Sequence, residues 1–241
     1  MTDALGLRAV FSIVLPATNS ITEPDMAALR PPGVSNQTFR FYMPGRPDTL
    51  DALLDLMRPA VERALDCQPD RVVLGYTSEF LPDGLATAAR LCSFVEEAVG
   101  RPATVASDAV PEALTALGAN RIGIVTPYLP VEDCNVEAYF TALGFSVAGV
   151  AGLSSAKGKL VGTAQIVEAD VRSAFARIDA VDIEALVQIG TNLVCAGFVA
   201  DLEAHHGKPV VAVNEATYWL ALRRHGIADR LDGHGTLLAQ H

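Results

Sequence analysis

The chain reads as an α/β protein of two pseudo-symmetric units, each a four-stranded, mostly parallel sheet flanked by helices, with an active-site cleft between them. Two features lead to that reading. Strand-like apolar runs alternate with helix-like segments from end to end, the pattern of a parallel sheet covered on both faces. One short motif, an apolar strand running into glycine and then hydroxyl or amide side chains, occurs twice: Arg71-Val72-Val73-Leu74-Gly75-Tyr76-Thr77-Ser78 and Leu186-Val187-Gln188-Ile189-Gly190-Thr191-Asn192. The 241 residues, half of them apolar, can bury the core of one large domain or two small ones.

In chain order, the first unit has strands predicted at Ala9 to Leu15, Thr38 to Tyr42, Arg71 to Leu74 and Ala103 to Ser107. Glu23 and Pro24 are placed to open a helix after the first strand. Apolar residues at helical spacing (Leu50, Leu53, Leu54, Met57, Val61, Leu65) predict a helix over Thr49 to Leu65, capped by Asp48 or Thr49. Another runs from Gly84 to Val99 and stops at Gly100, before Pro102. In the second unit the strands are Arg121 to Thr126, Ser146 to Val150, Ala185 to Ile189 and Pro209 to Val213, with helices near Val131 to Leu143, Ala169 to Ile178 and Phe198 to His206. Gly118 and Asn120 mark the crossing between units. The last helix, Glu215 to Arg224, has no strand after it and is expected to pack back on the first unit, giving domains of 1–117 plus 214–241 and of 118–213.

Charge removes several function classes. With 28 acidic against 18 basic side chains the formal charge is −10, and the basic residues are scattered, so neither nucleic acid nor an anionic membrane is an expected partner. The start Met1-Thr2-Asp3-Ala4-Leu5-Gly6 lacks the basic and apolar regions of a signal peptide, and a cytoplasmic protein is expected. Cys67, Cys92, Cys134 and Cys195 are widely spaced, so no metal site and no disulfide framework is expected. There is no phosphate loop, no dinucleotide fingerprint after the first strand and no nucleophile elbow, which disfavours nucleotide cofactors; none is expected. His205 and His206, before Gly207, sit where a helix end favours cations.

Open parallel sheets bind ligands at strand carboxyl ends, so the loops there carry the candidate site. Thr18 and Asn19 can donate to a carboxylate or merely cap the helix that follows. After Gly75, Thr77 and Ser78 can form an anion-binding nest or start a helix, and Tyr76 either meets the ligand or fills the space between units. Glu79 can reach the cleft as an acid or base or be a solvated first-turn glutamate, and the second is expected. Gly190, Thr191 and Asn192 are the counterpart loop, and Tyr128, in Thr126-Pro127-Tyr128, can donate its hydroxyl to a substrate oxygen or be a half-buried aromatic. The ligand these loops suit is a small carboxylate.

With these loops in place the chain resembles the aspartate/glutamate racemase superfamily, in the branch of maleate cis-trans isomerases, arylmalonate decarboxylases and ectoine-utilisation proteins. The resemblance rests on Leu15-Pro16-Ala17-Thr18-Asn19-Ser20 with Glu23-Pro24, Gly75 to Ser78, Thr126-Pro127-Tyr128, Gly190-Thr191-Asn192-Leu193, Gly207 to Val211 and Asn214-Glu215-Ala216-Thr217. It implies a cofactor-independent isomerase or lyase, a homo-oligomer such as a dimer, and catalysis by two cysteines across the substrate, or by one in the decarboxylases. This sequence places Tyr76 at the first cysteine position and Gly190 at the second. The carboxylate-binding positions map onto Asn19, Thr77, Ser78, Tyr128, Thr191 and Asn192, and a family asparagine falls at Gly158 between Lys157 and Lys159. The expectation is a proton-transfer enzyme with Tyr76 as the altered acid. The alternatives are a hydratase or hydrolase using a water in a gap at Gly190, Cys195 swinging in as a substitute thiol, or a catalytically silent carboxylate-binding relative.

Overall fold

The computed structural model describes residues 6–45, 47, 49–154 and 160–241; Asp48 and the Lys157-Gly158-Lys159 segment lie outside them. The first unit runs β1 (Ala9–Pro16), α1 (Thr22–Ala28), β2 (Val34–Phe41), α2 (Leu50–Arg63), β3 (Arg71–Leu74), α3 (Gly84–Val99), β4 (Ala103–Val105) and α4 (Ala106–Leu117). The second runs β5 (Arg121–Thr126), α5 (Pro130–Ala142), β6 (Ser146–Gly152), α6 (Leu160–Thr163), α7 (Glu168–Ile178), β7 (Ala185–Gln188), α8 (Val199–His206), β8 (Val210–Ala212), α9 (Val213–Arg224) and α10 (Gly235–Gln240).

All strand pairs are parallel, in two four-stranded sheets ordered β2-β1-β3-β4 and β6-β5-β7-β8. In each sheet the order reverses beside the first strand, so connections leave in opposite directions between β1 and β3 and between β5 and β7. Such a switch point opens a crevice at the strand carboxyl ends, because no crossover covers it. The strands flanking it are deeply buried: β3 and β7 are buried throughout, and β1 is buried from Phe11 to Pro16. Covered on both faces, they read in the sequence as continuous apolar runs.

Elements that depart from expectation do so for local reasons. Strand β2 begins at Val34 rather than Thr38, since Ser35, Asn36 and Gln37 are polar residues tolerated on a half-covered edge strand; Tyr42 lies beyond its end and is 73 % exposed. The strand expected over Ala103 to Ser107 stops at Val105, and Ala106 opens α4, a helix whose interior Pro111 obscures its period. Likewise α9 starts at Val213 rather than Glu215. Neither α4 nor α10 was expected. Thr49 caps α2, its hydroxyl accepting from the Ala52 N–H at 3.2 Å.

Helix α9 packs chiefly on α4 and α1, with further contacts to β3, β4 and β8. It is buried from Val213 to Leu222. Tyr218 sets its ring edge-on to Phe11 of β1 at 6.1 Å and donates its hydroxyl to Asn36 Oδ1 at 2.9 Å. Among the described residues no helix is long and apolar enough to cross a membrane.

Glu215, near the start of α9, is 1 % exposed and neither carboxylate oxygen has a hydrogen-bond partner. Burial first, then the nearby Glu203 and Asp25 carboxylates, push its proton affinity well above the ordinary carboxylate range. A carboxyl raised on folding contributes stability that is complete below its unfolded pKa and is lost as pH climbs toward the folded value. Glu215→Gln is therefore expected to raise Tm over the parent by an increment that grows between about pH 5 and pH 8. A thermal-melt series showing a pH-independent difference would refute this.

Candidate active site

The loops leaving β1, β3, β5 and β7 enclose a cavity of about 70 Å³. The first supplies Thr18 and Asn19, the second Tyr76 and Thr77, the third Pro127 and Tyr128, and the fourth Gly190, Thr191 and Asn192. Pro16, Met43, Phe80 and Thr163 complete the wall. Of the nine side chains singled out from the sequence, all but Ser78 line this space.

Much of the polar chemistry is spent on joining the loops. Asn19 Oδ1 accepts from the Ile21 and Thr22 N–H groups, both at 3.0 Å, and so ties the loop to the start of α1, whose N-cap is Ile21. The Asn19 amide also donates to Thr191 Oγ1 at 3.2 Å, across the two units. Thr191 in turn donates to the Gly75 carbonyl at 3.2 Å, which uses its only hydroxyl proton. The Thr191 carbonyl accepts from Thr22 Oγ1 at 2.9 Å and Asn214 Nδ2 at 3.0 Å. Asn192 accepts from the Ser20 N–H at 2.9 Å and donates to the Thr18 carbonyl at 3.4 Å. Asn19, Thr191 and Asn192 thus border the cavity as braces.

Tyr128 and Thr77 form a second bridge, their hydroxyls 3.0 Å apart on the cavity wall. Tyr76 is 7 % exposed and sits in a row of rings, edge-on to Phe41 at 6.3 Å and to Phe80 at 6.2 Å. Tyr76 and Phe80 also form the partition to a second cavity of about 570 Å³ between the starts of α2, α3 and α5, reached by Leu50, Leu53, Leu81, Val131 and Asn135. No lysine or arginine lines the small cavity among the described residues.

Three expectations need correction. Ser78 turns away from the cavity: it is fully buried, donates to the Gly84 carbonyl at 2.9 Å and pairs with Ser107 Oγ at 3.0 Å. Glu79 is not a solvated first-turn residue but 0 % exposed, behind Thr77. Burial drives its carboxyl up to about 7, against the pull of the Glu79 and Ser78 N–H groups and the Thr77 and Ser107 hydroxyls. The gap expected at Gly190 is closed. Its φ is +102°, and a Cβ there would meet the Pro127 ring at 2.7 Å.

Cys195 is 1 % exposed, does not line the cavity, and is held protonated by burial and by Glu215 and Asp25 nearby. Asp25, donated to by Asn214 Nδ2 at 2.7 Å, is raised by burial to about 6. His206 pairs with Asp179 at 2.8 Å, at the end of α8. Among the described residues no group of three His, Cys, Asp or Glu side chains could hold a metal ion. Sequence reasoning missed Met43, Phe80 and Thr163, apolar or neutral positions with no motif to mark them.

Duplicated parallel sheets that meet at their switch points around one small, neutral-walled cavity define a class of two-unit α/β proteins. Residues 48–238 match the arylmalonate decarboxylase family, and the chain belongs to it. It is 29 % identical to a maleate isomerase of Nocardia farcinica (strain IFM 10152), over 98 % of this chain and 97 % of that one. It is 30 % identical to an arylmalonate decarboxylase of Bordetella bronchiseptica, over 79 % and 80 % respectively. In three dimensions it resembles a cysteine-to-serine variant of the Nocardia farcinica maleate cis-trans isomerase that carries a covalently bound succinylcysteine intermediate, with a TM-score of 0.86 at 24 % identity and coverage of 96 % and 98 %. It also resembles a crystal structure of arylmalonate decarboxylase, with a TM-score of 0.77 at 22 % identity over 96 % and 99 %.

The closed position at Gly190 yields a stability test. Gly190→Cys must place a side chain at positive φ against Pro127, and it is expected to lower unfolding free energy by about 1–3 kcal/mol. Denaturant unfolding that left the variant as stable as its parent would show that the loop relaxes freely.

Proposed function

We propose that this chain is a cofactor-independent isomerase or lyase, decarboxylase-like, that moves a proton on a small carboxylate or dicarboxylate, with Tyr76 as proton donor. The supporting observation is the convergence of Tyr76, Thr77 and Tyr128 on one cavity that none of the four cysteines lines. A phenol is protonated at neutral pH, its ordinary pKa being near 10, so it can give a proton without prior activation. In decarboxylation the carbon–carbon bond to the departing carboxylate breaks, carbon dioxide leaves, and the electron pair is delocalised onto the retained carboxylate. The phenol then protonates the carbon and the resulting phenolate regains its proton from water.

The Thr77 and Tyr128 hydroxyls hold the retained carboxylate. Pro16, Met43 and Pro127 keep the space apolar, which strengthens those hydrogen bonds. Cis–trans rotation after thiolate addition has no nucleophile in this cavity. A hydratase reading loses its support with the closed position at Gly190. One observation favours a second reading, a carboxylate-binding protein without chemistry: the packing of Tyr76 between Phe41 and Phe80 suits a ring held as filler.

A turnover and thermal-shift screen of small mono- and dicarboxylates tests the choice. With a turned-over substrate in hand, Tyr76→Phe is expected to lower kcat by roughly 100-fold or more with the fold intact, because only the hydroxyl is lost. Alkylating the accessible cysteines should leave turnover nearly unchanged. Binding without turnover would favour the second reading, and full activity in Tyr76→Phe would remove the phenol from the mechanism.

Substrate size follows from the partition. Phe80→Ala joins the small cavity to its larger neighbour and is expected to admit carboxylates with bulkier substituents while weakening selection for small ones. An unchanged substrate range, measured as kcat/KM across a size series, would show that Phe80 does not limit it.

A further inference from the structure

Glu79 is the one buried ionisable group beside the cavity for which the reading above has no use. It is fully buried, neither carboxylate oxygen makes a hydrogen bond of proper geometry, and it follows Thr77 and Ser78 in the loop after β3. An unpaired buried carboxylate is costly, so its presence asks for a reason. Facing it are the Thr77 and Ser107 hydroxyls and, from α5, Tyr139, whose own hydroxyl donates to the Ser107 carbonyl at 3.0 Å. Asp108 of α4 is the next charge in that direction, and it is engaged by Arg224 at 3.5 Å. No cation faces Glu79 among these groups.

We propose that Glu79 is a positioning residue that takes up one proton when a small carboxylate enters the cavity, and so orients the Thr77–Tyr128 hydroxyl pair as a donor toward that anion. The proposal rests on the carboxylate reading of the cavity. Its basis is a count of protons. Thr77 and Tyr128 have one hydroxyl proton each and are 3.0 Å apart. Thr77 stands beside Glu79 without a formed hydrogen bond to it, so the relay needs its hydroxyl to rotate: with Glu79 ionised, Thr77 turns its proton toward the carboxylate and accepts from Tyr128, and both protons are spent inside the wall. With Glu79 protonated, the carboxyl donates to Thr77, Thr77 to Tyr128, and Tyr128 to the ligand.

Electrostatics acts in the same direction. A second anion on the far side of Thr77 raises the proton affinity of Glu79, and no lysine or arginine of the described lining offsets it. Its carboxyl already lies near neutrality through burial, so the uptake is small in cost at physiological pH. A monocarboxylate and its proton enter together with no net change in the charge of the buried region, and for a dicarboxylate the proton offsets one of the two charges.

Two measurements on the full chain decide the matter. The first needs no ligand: carbon-13 NMR of glutamate carboxyls, with Glu79 assigned by its loss in Glu79→Gln, follows the titration. In Thr77→Val and in Tyr128→Phe the Glu79 midpoint is expected to move upward, because each removes a donor from the chain that favours the anion. Midpoints unchanged in both variants overturn the proposal. The second is calorimetric binding of maleate, malonate and acetate between pH 6 and 9 in buffers of different protonation enthalpy. The parent should bind with uptake of a proton and lose about tenfold in affinity per pH unit above the Glu79 midpoint. Glu79→Gln should retain binding with neither effect. Parent-like proton uptake in Glu79→Gln overturns the proposal while the carboxylate site stands, whereas no binding of any probe at any pH overturns both.

Discussion

The structure depends on the hydroxyl of Thr191, caught between the Asn19 amide and the Gly75 carbonyl. Those three residues belong to loops leaving β7, β1 and β3, so one side chain fixes three strand ends that come from both sheets. The Thr191 carbonyl extends the junction to Thr22 and to Asn214 on α9. Each bond is worth only about 1 kcal/mol on its own. Buried and mutually supporting, they determine how far apart the two switch points stand, and hence the width of the cavity.

That brace explains the local conformations around it. Gly190 takes a positive φ so that the chain can turn out of β7 and present Thr191 to Gly75, and the ring of Pro127 occupies the volume a side chain at 190 would need. The volume a side chain would need beside position 190 is thus taken by a neighbouring loop. Tyr76 is set in the aromatic row that separates the small cavity from the large one. Gly190 and Tyr76 thus act on the same walls, one bordering a side of the cavity and the other dividing it from its neighbour.

The interior is also acidic. Glu79 and Glu215 lie buried and Asp25 partly buried, each with its carboxyl raised by desolvation before any other cause. A lining without cations means that an anion here is held by neutral donors in a low-dielectric space, where hydrogen bonds are strong but a second negative charge is expensive. On the proposal made above, a protonated Glu79 behind the wall reconciles these demands, because it removes the repulsion and serves as a donor itself.

The amino-acid sequence by itself determined the class of fold and the strands that matter. β1, β3, β5 and β7 are buried on both faces, so their apolar runs are legible without tertiary information, and the glycine and hydroxyl residues after them mark the loops. Eight of the nine site residues it picked out line the cavity or brace it. What it could not specify was where each polar group points. Ser78 and Thr77 are adjacent and alike, yet one hydroxyl is drawn to Gly84 and Ser107 and the other to Tyr128, a choice made by the packing of α3, α4 and the loop after β5. The edge strand β2 and helix α4 were blurred for the same reason, since partial cover and α9 packing, not periodicity, stabilise them. Glu79 and Gly190 were misread because burial and the volume at a backbone position are properties of neighbours, and only the packed structure decides them.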